Sequence, residues 1–136
     1  MRYPFVEPEL SHAQGIPMPI LPLSLASGDR FLKASGLVDT GSAVNVLPYS
    51  AGVRLGLIWD EQNVNVALTG IFSQVPAKGV LVSATIVPFD VVDLAFAWSR
   101  SDDVPLILGQ MNFFEQFDAC FFRSAGEFEI WPKNST

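Results

Sequence analysis

The chain has 136 residues and a formal net charge of -6, and its 8 lysines and arginines are scattered along the sequence. This charge pattern argues against a nucleic-acid-binding function, because phosphate recognition needs clustered basic side chains. With 49% hydrophobic and only 16% charged residues, the chain is apolar enough to bury a core, so disorder throughout is not expected.

Targeting signals are not visible in the sequence. No apolar run approaches the roughly 20 residues that a membrane helix needs. The N-terminal residues 1–4 are followed by Glu7 and Glu9 rather than by the apolar core of a signal peptide. We therefore expect no membrane segment and a cytoplasmic location.

Cysteine and histidine usage limits the possible chemistry. Cys120 is the only cysteine and His12 the only histidine, so an intrachain disulfide and a thiolate zinc site are excluded. A serine or cysteine nucleophile in this chain would need His12, which we expect to be a solvated tail residue. The acids Asp90, Asp93, Asp102 and Asp103 suggest a calcium site, but solvated loops are the simpler interpretation. We expect no metal and no cofactor, which leaves carboxylate chemistry or binding without catalysis.

The N-terminal half predicts a β-hairpin. Residues 1–15 are expected to be a tail or edge segment, and residues 16–136 a single domain. Residues 20–26 form an apolar strand that prolines assign to an edge or a strand start, since proline cannot donate to a β-ladder. A turn at Ser27, Gly28 and Asp29 then leads into a second strand over residues 30–38.

The remaining pattern is also dominated by strands. In residues 64–68, polar Asn65 alternates with apolar neighbours. Residues 75–87 and 91–98 are rich in β-branched side chains, and residues 106–108 are a short apolar run typical of a buried strand. Residues 121–122 and 128–131 flank a turn and predict a last hairpin. Two short helices are expected, over residues 48–55 and 110–117, the first starting at a proline and ending before a glycine.

A short motif interrupts the strands after residue 38. Leu37 and Val38 run directly into Asp39, Thr40, Gly41 and Ser42. This stretch resembles the active-site loop of the aspartic proteases, in which two apolar residues precede Asp-Thr-Gly and a serine or alanine follows.

The second signature of that family is an apolar triplet that ends in glycine before a short helix. It is matched here by Leu106, Ile107, Leu108 and Gly109. Between the two signatures, Thr69, Gly70, Ile71 and Phe72 stand where the family places its substrate-covering flap. The resemblance spans roughly residues 18 to 132, and the combination is far more specific than a bare Asp-Thr-Gly, which arises by chance in a few per cent of chains this long.

The chemistry explains why these residue types are needed. Peptide hydrolysis without a metal or a nucleophilic side chain needs an activated water and a polarised carbonyl. Two carboxylates that share one proton supply both, and the rate should follow a bell-shaped curve with an optimum at about pH 4 to 6. Glycine at position 41 permits close backbone approach. The resemblance implies that Thr40 bonds across to its counterpart in the other half of the enzyme. Ser42 could donate its hydroxyl to the carboxylate and favour the charged form.

A single Asp-Thr-Gly indicates half of an active site. The resemblance is to the half-sized, retropepsin-like members, and it implies an all-β acid-protease barrel with one or two short helices that is active as a two-fold homodimer. The interface must then be isologous. The family resemblance further implies that terminal strands of both subunits, here residues 128–131, interleave in one sheet, while a simple core-facing edge strand is the alternative for these residues.

The motif departs from the retroviral members in one respect. Those proteins place an acid after the serine or alanine and an arginine after the later glycine, and the two pair. Here Ala43 and Gln110 occupy these positions, so both charges are missing together. The flap also lacks the multiple glycines of viral flaps. The chain is therefore nearer to the cellular and bacterial members.

The sequence thus predicts a homodimeric aspartic endopeptidase that acts on peptides or proteins, with Asp39 as its catalytic residue. Two alternatives stay open. One is a peptide-binding module that keeps the fold without useful activity, and the other is a dimerisation domain of a larger assembly. The joint presence of Asp39, Thr40, Gly41 and Ser42 favours the enzyme, since a pure binder has no need for the acid.

Overall fold

The computed structural model describes residues 1–7 and 15–133. His12, predicted as a tail residue, lies outside the described residues. In these two ranges, nine strands and two α-helices follow one another in the order β1 (Arg2–Pro4), β2 (Ile20–Ser27), β3 (Arg30–Val38), β4 (Asn45–Leu47), α1 (Tyr49–Arg54), β5 (Ala77–Thr85), β6 (Val92–Ser99), β7 (Ile107–Leu108), α2 (Phe113–Gln116), β8 (Phe117–Phe122) and β9 (Glu127–Pro132). The predicted β-rich organisation with two short helices is confirmed.

Six strands close into a barrel in the order β2-β3-β7-β4-β6-β5. The predicted hairpin is its first unit, with β2 and β3 paired antiparallel from Ser27 opposite Arg30 to Ile20 opposite Leu37. Of the two positions expected from the prolines, the strand start is the one observed, because Pro22 lies in the first part of β2 while Ser24–Ala26 also pair with β5. The prolines precede this doubly paired part, which is why the barrel tolerates them.

The barrel interior is filled by aliphatic side chains and a group of aromatic rings. Trp98 is fully buried, stacks on Tyr49 at a centroid distance of 5.6 Å, and meets Trp59 edge-on at 5.3 Å. Gly52 of α1 is required here, since a Cβ at that position would lie 2.2 Å from the Trp98 ring. Trp98 therefore belongs to the core, and Trp59 packs against it while remaining partly exposed.

The C-terminal hairpin is also confirmed, and it carries an additional strand. β8 and β9 pair antiparallel, and β1 adds to the other side of β9, so the sheet order is β1-β9-β8. Arg2 of β1 bonds Glu129 of β9 at 2.6 Å, and this bond raises the pKa of the guanidinium. Burial raises the pKa of Tyr3, whose ring stacks on Phe128.

This arrangement changes the expectation for residues 128–131. β9 is neither a free terminal strand nor an edge, because β1 and β8 occupy its two sides. Its side chains Phe128 and Ile130 are fully buried in the core of their own chain. A sheet shared between two subunits would have to form through β1 or β8 instead.

Two further elements differ from the sequence-based expectation. The strand predicted at residues 64–68 is reduced to a single bridge between Asn65 and Lys78. The helix predicted over 110–117 is confined to α2, because Asn112 has a φ of 76° and caps it, while Phe117 is extended. Within the two described ranges, none of the helices is long and apolar enough to cross a membrane.

Candidate active site

Asp39 stands at the end of β3, where the barrel backbone turns outward. Its N–H donates to the carbonyl oxygen of Leu108 at 3.0 Å, and its own carbonyl oxygen accepts from Ser42 N–H at 3.2 Å. The carboxylate Oδ1 accepts from the backbone N–H of Gly41 at 2.9 Å. The side chain is half-buried, so a fixed carboxylate remains accessible from one side.

The two sequence signatures meet through a parallel pairing. β3 lies beside β7, with Leu37 opposite Ile107 and Val38 opposite Leu108. Gly109 then packs directly against the loop, because a Cβ there would lie 2.4 Å from the carbonyl oxygen of Val44 and 2.7 Å from that of Ser42. The structure thus brings the apolar-Gly motif onto the Asp-Thr-Gly loop, although the motifs are far apart in the chain.

A buried amide side chain lies beneath this junction. Asn45 has an exposed fraction of 0%, and its Oδ1 accepts from Gly109 N–H at 2.7 Å. Its Nδ2 donates to the carbonyl oxygen of Ala95 at 2.9 Å and lies 3.5 Å from Asn112 Oδ1. Sequence reasoning missed Asn45, although a lone polar residue between Val44 and Val46 was the available signal, because a polar residue in a buried run needs partners.

Gln110, which stands where the retroviral members have an arginine, contacts the Asp39 loop. Gln110 N–H donates to the carbonyl oxygen of Ser42 at 2.8 Å, and Met111 N–H donates to that of Ala43 at 2.9 Å. The Gln110 side chain extends further and donates from Nε2 to the carbonyl oxygen of Thr40 at 2.7 Å. In this chain, uncharged amide groups of Gln110 and Met111 therefore hold the Asp39 loop in the place of an ion pair.

Thr40 and Gly41 face outward from the loop, and both are exposed. A Cβ at position 41 would lie 3.2 Å from Asp39 Oδ1, and apart from its chain neighbours no other heavy atom of the described residues would lie within 4 Å of it. Within the chain, the close approach that favours glycine is therefore to the carboxylate itself.

The predicted flap residues form the tip of a narrow ribbon. Val66 N–H donates to Ala77 at 3.0 Å and Gly79 N–H donates to Val64 at 2.7 Å, which pairs the two arms. The tip holds a 3₁₀ turn over Gly70–Phe72, and Ile71 is 84% exposed. The structure thus gives a ribbon with a helical turn at its tip.

The ribbon lies beside the part of the loop formed by Ser42, Ala43 and Val44. A cavity of about 50 Å³ separates them, and it is lined by Ser42, Ala43, Val44, Val46, Ala67, Leu68, Thr69, Phe72 and Ile107. Among the described residues, the lining begins at Ser42 and does not include Asp39. Seven of the nine lining residues are apolar, the exceptions being Ser42 and Thr69, and such a lining suits an aliphatic side chain of a ligand.

The structure has a solved counterpart. The crystal structure of a retropepsin-like aspartic protease from Rickettsia conorii superposes with a TM-score of 0.59 over 84% of this chain and 93% of that chain. The chain has a retropepsin-like fold. The two sequences are only 15% identical, so the likeness extends to the fold and not to the activity. No protein-family model and no curated protein matches the sequence.

Within this retropepsin-like fold, one expected contact is replaced. The Ser42 hydroxyl donates to the carbonyl oxygen of Val44 at 2.7 Å, and the carboxylate of Asp39 receives the Gly41 N–H instead. A hydroxyl has one proton to donate, so Ser42 is committed to holding the loop. The expectation that Ser42 favours the charged carboxylate is therefore wrong for this chain.

Ser42→Ala is expected to lower the free energy of unfolding by about 1 kcal/mol, because one half-buried hydrogen bond is lost. The acidic limb of the pH–rate profile should stay in place. Urea unfolding and a pH–rate profile on one cleaved peptide test both statements. A shifted acidic limb with unchanged stability would show that the hydroxyl acts on the carboxylate after all.

Two of the acids considered for calcium accept hydrogen bonds from other groups of the chain. Asp93 accepts a bond from Ser83, and Asp102 accepts the N–H of Ser50 at the start of α1. In the part of the chain that the structure describes, no group of three or more histidine, cysteine or acidic side chains is placed to hold a metal ion. Cys120 is a half-buried free thiol of β8.

Proposed function

We propose that this chain is an aspartic endopeptidase that works as a homodimer, with one Asp39 from each subunit. The observation that carries the proposal is the geometry of the loop. In a retropepsin-like fold, a half-exposed Asp39 carboxylate is held by the Gly41 N–H at a loop fastened to Leu108. These 136 residues contain one such loop, and we assign the second carboxylate to a second copy of the chain.

In the proposed mechanism, the two Asp39 carboxylates share one proton. The ionised one accepts a proton from a water molecule, which attacks the carbonyl carbon of the substrate. The protonated one donates to the carbonyl oxygen, which gives a tetrahedral intermediate with two hydroxyls. The first Asp39 then passes the proton it took from water to the nitrogen, the second takes a hydroxyl proton back, and the C–N bond breaks to release the amine and the new carboxyl group. The chain's contribution is to fix the carboxylates before the substrate binds, so that little reorganisation is needed.

The exposed side of the loop supports a two-fold contact. Thr40 and Gly41 are uncovered, so their counterparts in a second copy can approach them along the axis. Since both sides of β9 are occupied within the chain, any strand pairing between subunits is assigned to β1 or β8.

The substrate is proposed to be an extended peptide held under the ribbon that carries Thr69, Gly70, Ile71 and Phe72. The nearby cavity is bordered by Leu68 and Phe72 of the ribbon and by Val46 and Ile107 of the barrel. Its small volume favours a short aliphatic side chain near the cleaved bond, because a larger one would overfill it and a charged one would be desolvated.

The proposal is tested by incubating the protein with an unbiased peptide library and mapping the cleaved bonds by mass spectrometry. We expect cleavage with short aliphatic residues close to the scissile bond. The rate per mole of chain should fall on dilution, in step with dissociation measured by sedimentation, because a lone subunit has half a site. Binding of peptides without cleavage, or a monomer with full activity, would contradict the proposal.

A further inference from the structure

The peptide unit between Thr40 and Gly41 is bonded at both of its polar ends. Its carbonyl oxygen, from Thr40, accepts from Gln110 Nε2 at 2.7 Å. Its N–H, from Gly41, donates to Asp39 Oδ1 at 2.9 Å. Because a peptide unit is planar, fixing the carbonyl also fixes the direction of the N–H. Gln110 and the Asp39 carboxylate are thus connected through one rigid plane.

Gln110 is well placed to hold this plane. Its own N–H donates to the carbonyl oxygen of Ser42 at 2.8 Å, so its backbone is anchored on the far side of Gly41. The following N–H, from Met111, donates to Ala43 at 2.9 Å. The side chain therefore starts from a fixed point. Position 43 of the loop is alanine and offers the Gln110 side chain no charged partner, and the side chain bonds Thr40 instead.

The buried side of the loop is held separately. Asn45 accepts the Gly109 N–H at 2.7 Å from within the core, and its amide nitrogen faces Ala95 and Asn112 rather than the Thr40–Gly41 peptide. Loss of the Gln110 amide would leave this buried attachment in place while freeing the exposed plane to rotate. Gln110 is itself exposed, so replacing it removes no core contact.

We propose that Gln110 is a positioning residue for the reaction, acting through the Thr40–Gly41 peptide on the Asp39 carboxylate. The inference rests on the proposed function. A hydrogen bond to the carbonyl polarises the peptide and strengthens the N–H as a donor, so Gln110 both orients and reinforces the bond to Oδ1. Without it, the carboxylate samples more orientations, and fewer of them suit the attack of water.

Three variants distinguish positioning of the Asp39 carboxylate by Gln110 from a general effect of losing a glutamine side chain. Gln110→Met keeps the length of the side chain and removes its donor. Gln110→Arg keeps an N–H donor the same number of bonds from the backbone. Gln116→Met is the matched control, because Gln116 Nε2 donates to a backbone carbonyl elsewhere, that of Asp93, at 2.9 Å.

We expect Gln110→Met to lower kcat about tenfold with little change in KM, since misplacement of a catalytic group affects the chemical step. Gln110→Arg should recover most of that loss, and Gln116→Met should match the wild type. The Gly41 amide, followed by NMR hydrogen exchange, should exchange faster in Gln110→Met only.

The amide measurement does not depend on catalysis. If the wild type cleaves no peptide but the Gly41 amide responds as expected, the proposed function fails and the structural link from Gln110 stands. If the wild type cleaves and Gln110→Met leaves both kcat and the Gly41 amide unchanged, the positioning role is overturned while the proposed function stands.

Discussion

Replacing Asp39 with asparagine is expected to lower the rate of peptide hydrolysis by about 10⁴-fold or more, because the carboxylate pair supplies both the general base and the general acid. Asparagine preserves the shape of the side chain and can still accept the Gly41 N–H, which lies 2.9 Å from Oδ1. The fold should therefore persist while the chemistry is lost. Steady-state rates on one mapped peptide, with circular dichroism as the check on folding, measure this.

The matched control is Asp29→Asn, which removes the same charge from the exposed turn between β2 and β3. It should retain wild-type activity. Mixing wild-type and Asp39→Asn chains gives a sharper test of the shared site. In an equal mixture that exchanges freely, about a quarter of the dimers contain two wild-type subunits, and activity should fall to that level. A linear dependence on the wild-type fraction would show that one chain suffices.

The second large effect is expected for Gly109→Ala. A Cβ at this position would lie 2.4 Å from the carbonyl oxygen of Val44 and 2.7 Å from that of Ser42, and both are backbone atoms that cannot rotate away. The Gly109 turn and the Asp39 loop would have to separate, which breaks the bond from Gly109 N–H to Asn45. We expect a loss of about 3 kcal/mol or more in the free energy of unfolding, together with loss of activity.

Urea unfolding of Gly109→Ala is best compared with that of Gly79→Ala. The three heavy atoms nearest to a Cβ at position 79 would be side-chain atoms of Val64 and Val66, at 3.3 to 3.6 Å. That variant should lie within about 1 kcal/mol of the wild type, because shifts of a few tenths of an ångström relieve these contacts. Equal stability of the two variants would mean that Gly109 is not packed against the loop as described.

Sequence alone determined the elements whose signals are local. The β2–β3 hairpin follows from apolar runs around a Ser-Gly-Asp turn, and the Asp39 loop follows from a motif of consecutive residues. α1 was readable from a proline at its start and a glycine after its end. In each case the residues that decide the structure are near neighbours in the chain, so their pattern is visible without knowledge of the fold.

Other features were decided only by tertiary contacts. The sequence suggested the Asp39 carboxylate as the acceptor for the Ser42 hydroxyl, whereas in the structure the hydroxyl donates to the carbonyl oxygen of Val44. The pairing of β1 with β9, the burial of Asn45 and the hydrogen bond from Gln110 to Thr40 were likewise not predictable from the sequence. These outcomes depend on which donors and acceptors the barrel brings together from distant parts of the chain. A buried polar group takes whichever partner the closed barrel places within reach, and that choice is not encoded in its immediate neighbours.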